Sequence, residues 1–410
     1  MTVLNPKSHP WMRSKNVTKL FEAFPKDSLR FVGGCVRNSV LGVDVGDVDL
    51  ATTLDPEAVT TLLKSSGINY APTGIDHGTV TAVLNSLPYE ITSLRKDVET
   101  DGRRAVVSYT QDWAEDAQRR DLTMNALYAD YEGTIYDPTG QGLDDIKALK
   151  FRFVGEADSR IKEDYLRILR FFRFLAYYGG AAKVDASALK ACRENKTGLK
   201  KLSAERVWTE LKKTLSARDP SRAFHIMLTN DILETILREA SNVDGLMRLV
   251  KLEARENIKP DPLLRIMSMS AREPLQMALL CKRLKMSKKE TARLRQWSDS
   301  SVSLDPHAEN KEQLKAIYLA GKQVVIDRSR LRAAGEDDAI LSTRWMSLAD
   351  LAMGWTPPEF PLTGKDLKAA GVEAGPKMGK ILEALKALWV RSGFTADREK
   401  LLMALNLLNR

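Results

Sequence analysis

Residues Phe31 to Asp49, FVGGCVRNSVLGVDVGDVD, constrain this 410-residue chain more than any other stretch. An apolar run reads as a strand, Leu29 to Val32, and ends in Gly33-Gly34. A short helix is expected over Val36 to Leu41, and Asp47 and Asp49 stand two apart in a second apolar run. Side chains alternate faces along a strand, so these two carboxylates are expected to leave one side of a sheet together, where they make a divalent-cation site. The glycine pair lets a triphosphate approach bare amides at the positive N-terminus of the helix, and Arg37 is placed to clamp its oxygens. Gly33, Gly34, Arg37, Asp47 and Asp49 therefore describe a nucleoside-triphosphate site with Mg²⁺, built for in-line attack on a phosphoryl group.

The bulk of the chain fits an enzyme with several domains. A hydrophobic content of 43% supports real cores rather than disorder. The balance of 63 Lys and Arg against 54 Asp and Glu leaves +9, clustered in Lys282 to Arg295 and in Lys196 to Lys213, as a polyanionic partner requires. Cys35, Cys192 and Cys281 are too few and too scattered for a disulfide framework or a zinc motif, which points to a reducing cytoplasm. Neither a signal peptide nor a run of membrane-spanning length is present.

Up to about residue 150, short β-like runs (LRFVGG, VDLAT, TVTAVLN, YEITSLR, ALYAD, TIYDP) alternate with helices, and Ser86-Leu87-Pro88 marks a hairpin between the third and fourth. After Phe153 long helices take over, such as Glu163 to Tyr178, Ala204 to Leu215 and Pro274 to Leu284, divided by Pro and Gly breaks. The expected fold class is α+β: a mixed-sheet head at 1–150, then an all-α remainder of neck (151–218), body (219–355) and tail (356–410).

Three further constellations carry chemistry. Glu90 stands mid-strand in YEITSLR, where it can complete a three-acid cage and help deprotonate an attacking hydroxyl. In QRRDLTMNALY, Asp121 precedes a helical pattern with Asn125 a turn later. Asp121 reads either as an N-cap or, with Asn125, as a ribose contact beside a phosphate contact from Arg120. In IKEDYLRILRFFRF, Asp164, Arg167, Arg170 and Arg173 recur every three residues, so a helix would carry them along one edge while Phe171, Phe172 and Phe174 enter the core. Cytosine and adenine both offer an exocyclic amine beside a bare ring nitrogen. Asp164 accepts from the amine and Arg167 donates to the nitrogen, so the pair would take C or A and repel U or G.

The stretches GGCVRNSVLG with GDVDLAT, RRDLTMNAL, YDPTGQGLDDI leading to FRFVG, EDYLRILRFFRF and SAERVWTELKKTL occur in that order over Leu29 to Leu215. In them the chain resembles the class II tRNA nucleotidyltransferase and bacterial poly(A) polymerase family, within the polymerase-β-like nucleotidyltransferases. The resemblance implies that Asp47 and Asp49 bind Mg²⁺, that Gly34 and Arg37 hold triphosphate, and that Arg120, Asp121 and Asn125 serve ribose and phosphate. It also implies that Asp164 and Arg167 select CTP and ATP, with Arg170 and Arg173 supporting them. The implied reaction is template-independent addition of C, C and A to the tRNA 3′ end by two-metal nucleotidyl transfer with release of pyrophosphate, the helical remainder gripping the acceptor arm.

Within that family TGIDHGTVTAVL looks like the CCA-adding branch, and the polar loop Arg95 to Ala105 resembles the one required for adding the terminal A. Poly(A) synthesis is the alternative activity, and a noncatalytic RNA-binding relative the alternative class. His9, His77, His225 and His307 are followed by Pro, Gly, Ile and Ala, so the His-Asp pairs of an appended phosphohydrolase are missing.

Overall fold

A computed structural model describes residues 2–408 apart from 72–73, 75–77, 102–103, 181 and 183. The chain divides into two compact units, Met1–Arg238 and Glu239–Arg410.

The strands of the first unit are β1 (Leu29–Val32), β2 (Leu50–Thr52), β3 (Asn69–Ala71), β4 (Thr79–Leu84), β5 (Leu87–Ser93), β6 (Arg95–Asp101), β7 (Arg104–Tyr109), β8 (Tyr128–Ala129) and β9 (Ile135–Tyr136). Seven of them form one sheet in the order β3-β4-β5-β2-β1-β8-β9, and β6 and β7 pair separately as a hairpin. Neighbours in the large sheet are antiparallel except β2 and β5, which run parallel with Leu50 opposite Ile91 and Ala51 opposite Thr92. The sheet is therefore mixed, as the sequence suggests. Phe31, Leu50 and Ile91 are fully buried, so the apolar alternation sets which face points to the core.

The helix α1 (Lys15–Ala23) precedes β1, and α2 (Gly34–Leu41) follows it with no intervening loop. Gly33 caps α2 at φ 66, ψ −114, a backbone state open to glycine and costly for any residue with a Cβ. The next helices are α3 (Pro56–Ser65), α4 (Trp113–Gln118), α5 (Gly142–Lys147), α6 (Ala157–Glu163), α7 (Leu166–Tyr178), α8 (Ala186–Glu194) and α9 (Ala204–Leu215). Phe171, Phe172 and Phe174 of α7 are buried, with Phe171 stacked on Phe153.

Several local expectations need correcting. Asp47 and Asp49 do not lie in a strand: 43–49 carries no regular secondary structure, and β2 begins at Leu50. Two glycines and two aspartates over 42–47 supply neither the β-branched surface nor the stiffness a strand needs. The β4–β5 turn is Asn85-Ser86, both at positive φ, while Leu87 and Pro88 already belong to β5. The helix expected over Glu163 to Tyr178 is broken at Asp164 (φ −150, ψ 105) between α6 and α7. After Asp121 there is only a 3₁₀ turn, Thr123–Asn125, which the Asp121 side chain does not cap. Arg95 to Ala105 is largely the β6–β7 hairpin rather than a loop, with 102–103 outside the described residues. The segment TGIDHGTVTAVL likewise has 73 and 75–77 outside them.

The described elements of the second unit are all helices, from Val243–Arg255 to Arg398–Leu408. Arg293 draws three of them together by donating to Asp261 (2.6 Å) and Asp327 (2.7 Å), and Glu253 pairs with Arg265 at 2.6 Å in the interior. A separate core gathers Leu367, Leu385, Trp389 and Leu401 near the C-terminus. Among the described residues no helix is long and apolar enough to cross a membrane.

Candidate active site

One cavity of about 900 Å³ in the first unit is lined by every residue singled out from the sequence: Gly33, Gly34, Arg37, Asp47, Asp49, Glu90, Arg120, Asp121, Asn125, Asp164, Arg167, Arg170 and Arg173. The β1–α2 junction, the segment before β2, β5, the residues around 120 and α7 each contribute one wall.

The acidic wall follows from the parallel pairing of β2 and β5. Because Leu50 lies opposite Ile91, the residues just before them, Asp49 and Glu90, reach the same end of the sheet and turn to the same face, with Thr92 behind. Burial pushes the Asp49 carboxyl up to about 6, and the negative charges of Glu90 and Asp47 add to the shift against Arg120 and Arg37. The expected three-acid cage is not closed: among the described residues no three His, Cys, Asp or Glu side chains gather tightly enough to hold a metal unaided. A hard divalent cation needs only one or two carboxylates, the remaining oxygens coming from water and phosphate, so the Asp47–Asp49 pair fits one.

Opposite the acids, Gly34 opens the cavity at the first turn of α2. The Arg37 guanidinium donates to Asn125 Oδ1, to the Tyr178 hydroxyl (2.8 Å) and to Asn38 Oδ1 (2.9 Å). Arg120 is anchored from below: its Nε donates to the Tyr128 hydroxyl (3.0 Å) and its Nη2 to Asp116 (3.0 Å). Burial opposes ionisation of Asp116, but Arg120 and Arg119 outweigh it and hold the carboxyl below its usual range.

Asp121 is more fully used than the sequence suggests. Its Oδ1 accepts from the Leu122 amide (2.8 Å) and from Asn125 Nδ2 (2.9 Å), and its Oδ2 accepts from Arg170 (2.6 Å). Burial again opposes the charge, yet Arg170 and these hydrogen bonds keep the carboxyl far below the ordinary range. Asp121 thus ties α7 to the sheet domain through Arg170, whose guanidinium also feels the charge of Asp164. Arg173 pairs with Glu210 on α9 at 3.2 Å and lies 4.9 Å from the Phe174 ring.

Asp164 and Arg167 both face the cavity but do not touch as an acid–base pair of one helix edge. Arg167 donates to Glu163 (2.7 Å) and to the carbonyls of Arg160 (2.8 Å) and Arg119 (3.1 Å). At the break before α7, the Leu166 amide donates to Asp164 Oδ1 (3.1 Å) and Arg206 donates to Asp164 Oδ2 (2.6 Å). Tyr165, beside it, packs so closely on Gly198 that a Cβ there would stand 2.0 Å from the ring.

Sequence reasoning did not single out for this role Arg206 and Tyr178, which line the cavity, or Asp116, which anchors Arg120. Arg206 stands within SAERVWTELKKTL and among the clustered basic residues, but only the packing of α9 against α7 reveals its partner. Cys35, inside the glycine motif, is a buried core thiol.

A family model described as "Poly A polymerase head domain" matches residues 29–152. One described as "Probable RNA and SrmB- binding site of polymerase A" matches 183–243, and a tRNA nucleotidyltransferase domain 2 model matches 263–405. The chain is 33% identical over 408 residues to CCA tRNA nucleotidyltransferase 1, mitochondrial, of Homo sapiens, covering 95% of this chain and 89% of that protein. To the Mus musculus counterpart it is 35% identical over 405 residues, covering 95% and 88%. Its fold matches the crystal structure of the Bacillus stearothermophilus CCA-adding enzyme in complex with CTP, with TM-score 0.70 and 27% identity over 99% of this chain and 98% of that one.

Proposed function

This chain belongs to the CCA-adding tRNA nucleotidyltransferase family, and from that premise we propose how its cavity carries the reaction. The chain adds C, C and A to the 3′ end of tRNA from CTP and ATP without a nucleic-acid template. One observation supports assigning that chemistry to the cavity: the Asp pair, the Gly33-Gly34 turn and the Asp164–Arg167 pair all line it.

Enzymes of this kind need a divalent metal, and Asp47 and Asp49 would hold Mg²⁺ here, with Glu90 beside them. Once bound it would neutralise charge at the reacting phosphorus and lower the pKa of the attacking hydroxyl. Glu90 is exposed to the cavity and is the base nearest the attacking 3′ hydroxyl in this reading. The α2 N-terminus at Gly34, with Arg37 and Arg120, binds the triphosphate and orients pyrophosphate as the leaving group. Asn125 contributes to ribose and phosphate positioning through its bond to Arg37, and Asp121 through its hold on Asn125. Asp164 accepts from the amine of C or A and Arg167 donates to the adjacent ring nitrogen, with Arg170 and Arg173 fixing α7 behind them.

We assign the head to 1–150, the neck to 151–218, and RNA binding to the body (219–355) and tail (356–410). Three buried, unpaired cysteines support a reducing compartment, the cytoplasm. Incubating the pure protein with a tRNA that lacks its 3′ end, with CTP, ATP or both, and sizing the products tests the function. Two nucleotides from CTP and a third with ATP are expected. A long A-tail would establish the poly(A) reading, and no extension the noncatalytic one.

A further inference from the structure

Arg37 is a buried guanidinium whose hydrogen-bond partners are all neutral. It donates from Nε and Nη2 to Asn38 Oδ1 (3.2 and 2.9 Å), from Nη1 to Asn125 Oδ1, and from Nη2 to the Tyr178 hydroxyl (2.8 Å). A guanidinium has five N–H groups, so these bonds leave a single one, on Nη1, for a ligand. Arg37 is therefore built into its surroundings more than it is held out to the cavity, and one of its anchors, Tyr178, belongs to α7.

Tyr178 ends α7, and Arg167 stands at its second residue. The eleven residues between them make three turns, so the two side chains leave one face about 16 Å apart along the axis, a separation comparable with an extended nucleoside triphosphate. Phe174, one turn before Tyr178, stacks on its ring at 6.2 Å and lies 5.1 Å from the Arg37 guanidinium. The Tyr178 end is also fixed from outside the helix. The Tyr177 hydroxyl donates to the Lys213 carbonyl (3.0 Å), and Arg222 donates to the Gly180 carbonyl (2.6 Å) just past α7. The Tyr178 hydroxyl in turn donates to Asn38 Oδ1 (3.1 Å), and Asn38 Nδ2 donates to the Asp44 carbonyl (2.9 Å) in the segment that carries Asp47 and Asp49.

We propose that Tyr178 is a positioning residue: its hydroxyl fixes the triphosphate clamp Arg37 at one end of α7 against the base-reading Asp164 and Arg167 at the other, so that the helix gauges the nucleotide from base to phosphate. This rests on the nucleotide reading above. A nucleotide whose base is seated presents its phosphates where Arg37 already stands, and one whose base is refused meets Arg37 out of register. Selection at the base is thereby carried into the grip on the triphosphate, because the clamp is preorganised for one placement of the phosphates only.

The test is equilibrium binding of CTP, UTP and tripolyphosphate, each with Mg²⁺, to the full chain as wild type, Y178F, D164A and Y178F/D164A. Phenylalanine keeps the ring against Phe174 and removes only the hydroxyl. Y178F is expected to weaken CTP about tenfold, and UTP and tripolyphosphate, which bring no accepted base, less than about threefold. In D164A the base seat is already lost, so adding Y178F should weaken CTP less than about threefold, whereas sites this far apart that did not communicate through the nucleotide would give losses that multiply. The ratio of CTP to tripolyphosphate affinity is read within each protein, so a general loss of stability does not imitate this pattern. Unchanged CTP binding in Y178F, equal weakening of CTP and tripolyphosphate, multiplying losses, or wild type that binds CTP and UTP alike would each overturn the proposal. Wild type that shows the expected pattern but adds no C or A to tRNA would refute the enzymatic reading and leave this one standing.

Discussion

Arg206 donates a 2.6 Å hydrogen bond to Oδ2 of Asp164, across 42 residues of sequence, while the Leu166 amide holds the other oxygen. Asp164, the proposed acceptor for the base amine, is thus held from two helices, by a side chain of α9 and by the first backbone amide of α7, the helix that carries Arg167. A charge-assisted bond of this sort contributes about 1.5–3 kcal/mol.

Arg206→Ala should lower kcat/KM for CTP and ATP by about tenfold or more and narrow the preference over UTP and GTP, because Asp164 loses its fixed direction. Arg206→Lys should restore part of both. The check is relative incorporation of the four nucleotides on one tRNA. Unchanged selection in Arg206→Ala would mean that the amide of Leu166 positions Asp164 alone.

Asp47→Ala or Asp49→Ala should reduce nucleotide transfer at least about a hundredfold while the melting curve persists. Both lie in an irregular segment at the cavity rim rather than in the core. Near-normal turnover with Mg²⁺ in either variant would remove these residues from the reaction.

The pH dependence has a definite sign. The folded-state pKa of Asp49, about 6, lies above its ordinary 3.8, so ionisation of Asp49 opposes folding. That cost is absent below the unfolded value, grows between the two, and is complete above about 6. Asp49→Asn should therefore raise the melting temperature of metal-free protein near pH 8 and leave it unchanged near pH 3.5. Divalent-metal affinity of the wild type should fall towards tenfold per pH unit below about 6, as the proton competes for the ligand. Calorimetry and metal titration across that range decide both.

Shortening the hairpin between Arg95 and Ala105 should spare C addition and impair addition of A. The β6–β7 ribbon is joined to the large sheet through Arg95, which lines the cavity, so its position bears on the pocket without forming its floor. Product sizing with CTP alone and with both nucleotides separates the two steps. Equal loss of both would assign the hairpin a general structural role.

Gly198→Ala should weaken both stability and base selection. Its new methyl would meet the Tyr165 ring, and Tyr165 adjoins Asp164 at the break between α6 and α7. Overpacking of this kind costs about 1–3 kcal/mol, and thermal melts with nucleotide competition measure the two effects together.

The sequence made the constellation legible because each member sits in a short stretch whose chemistry is local: a glycine pair, an acid pair, an acid three residues before an arginine. What it concealed was pairing at a distance. Nothing within QRRDLTMNALY reveals that Asp121 is saturated by Arg170, 49 residues away, and so acts as a tie more than as an open ligand. The apolar period likewise runs through Asp164 without interruption, because side-chain spacing is blind to a backbone that turns to ψ 105 for one residue. The Asp pair misled in the opposite direction: period-two spacing gave the right common face, yet the glycines around it prevent a ladder.

The two short parallel strands behind Asp49 and Glu90 have one more consequence. Only three residues of β2 pair with β5, and their side chains are entirely apolar or hydroxylated core groups. A slip of one residue there would turn Glu90 to the far face of the sheet and carry the fully buried Ile91 out of the core, against the six-position pairing of β5 with β4. The side chains that build the core are thus the ones that aim the acid. Substitutions at Leu50, Ala51 or Ile91, which touch no substrate, should therefore lower turnover and stability together.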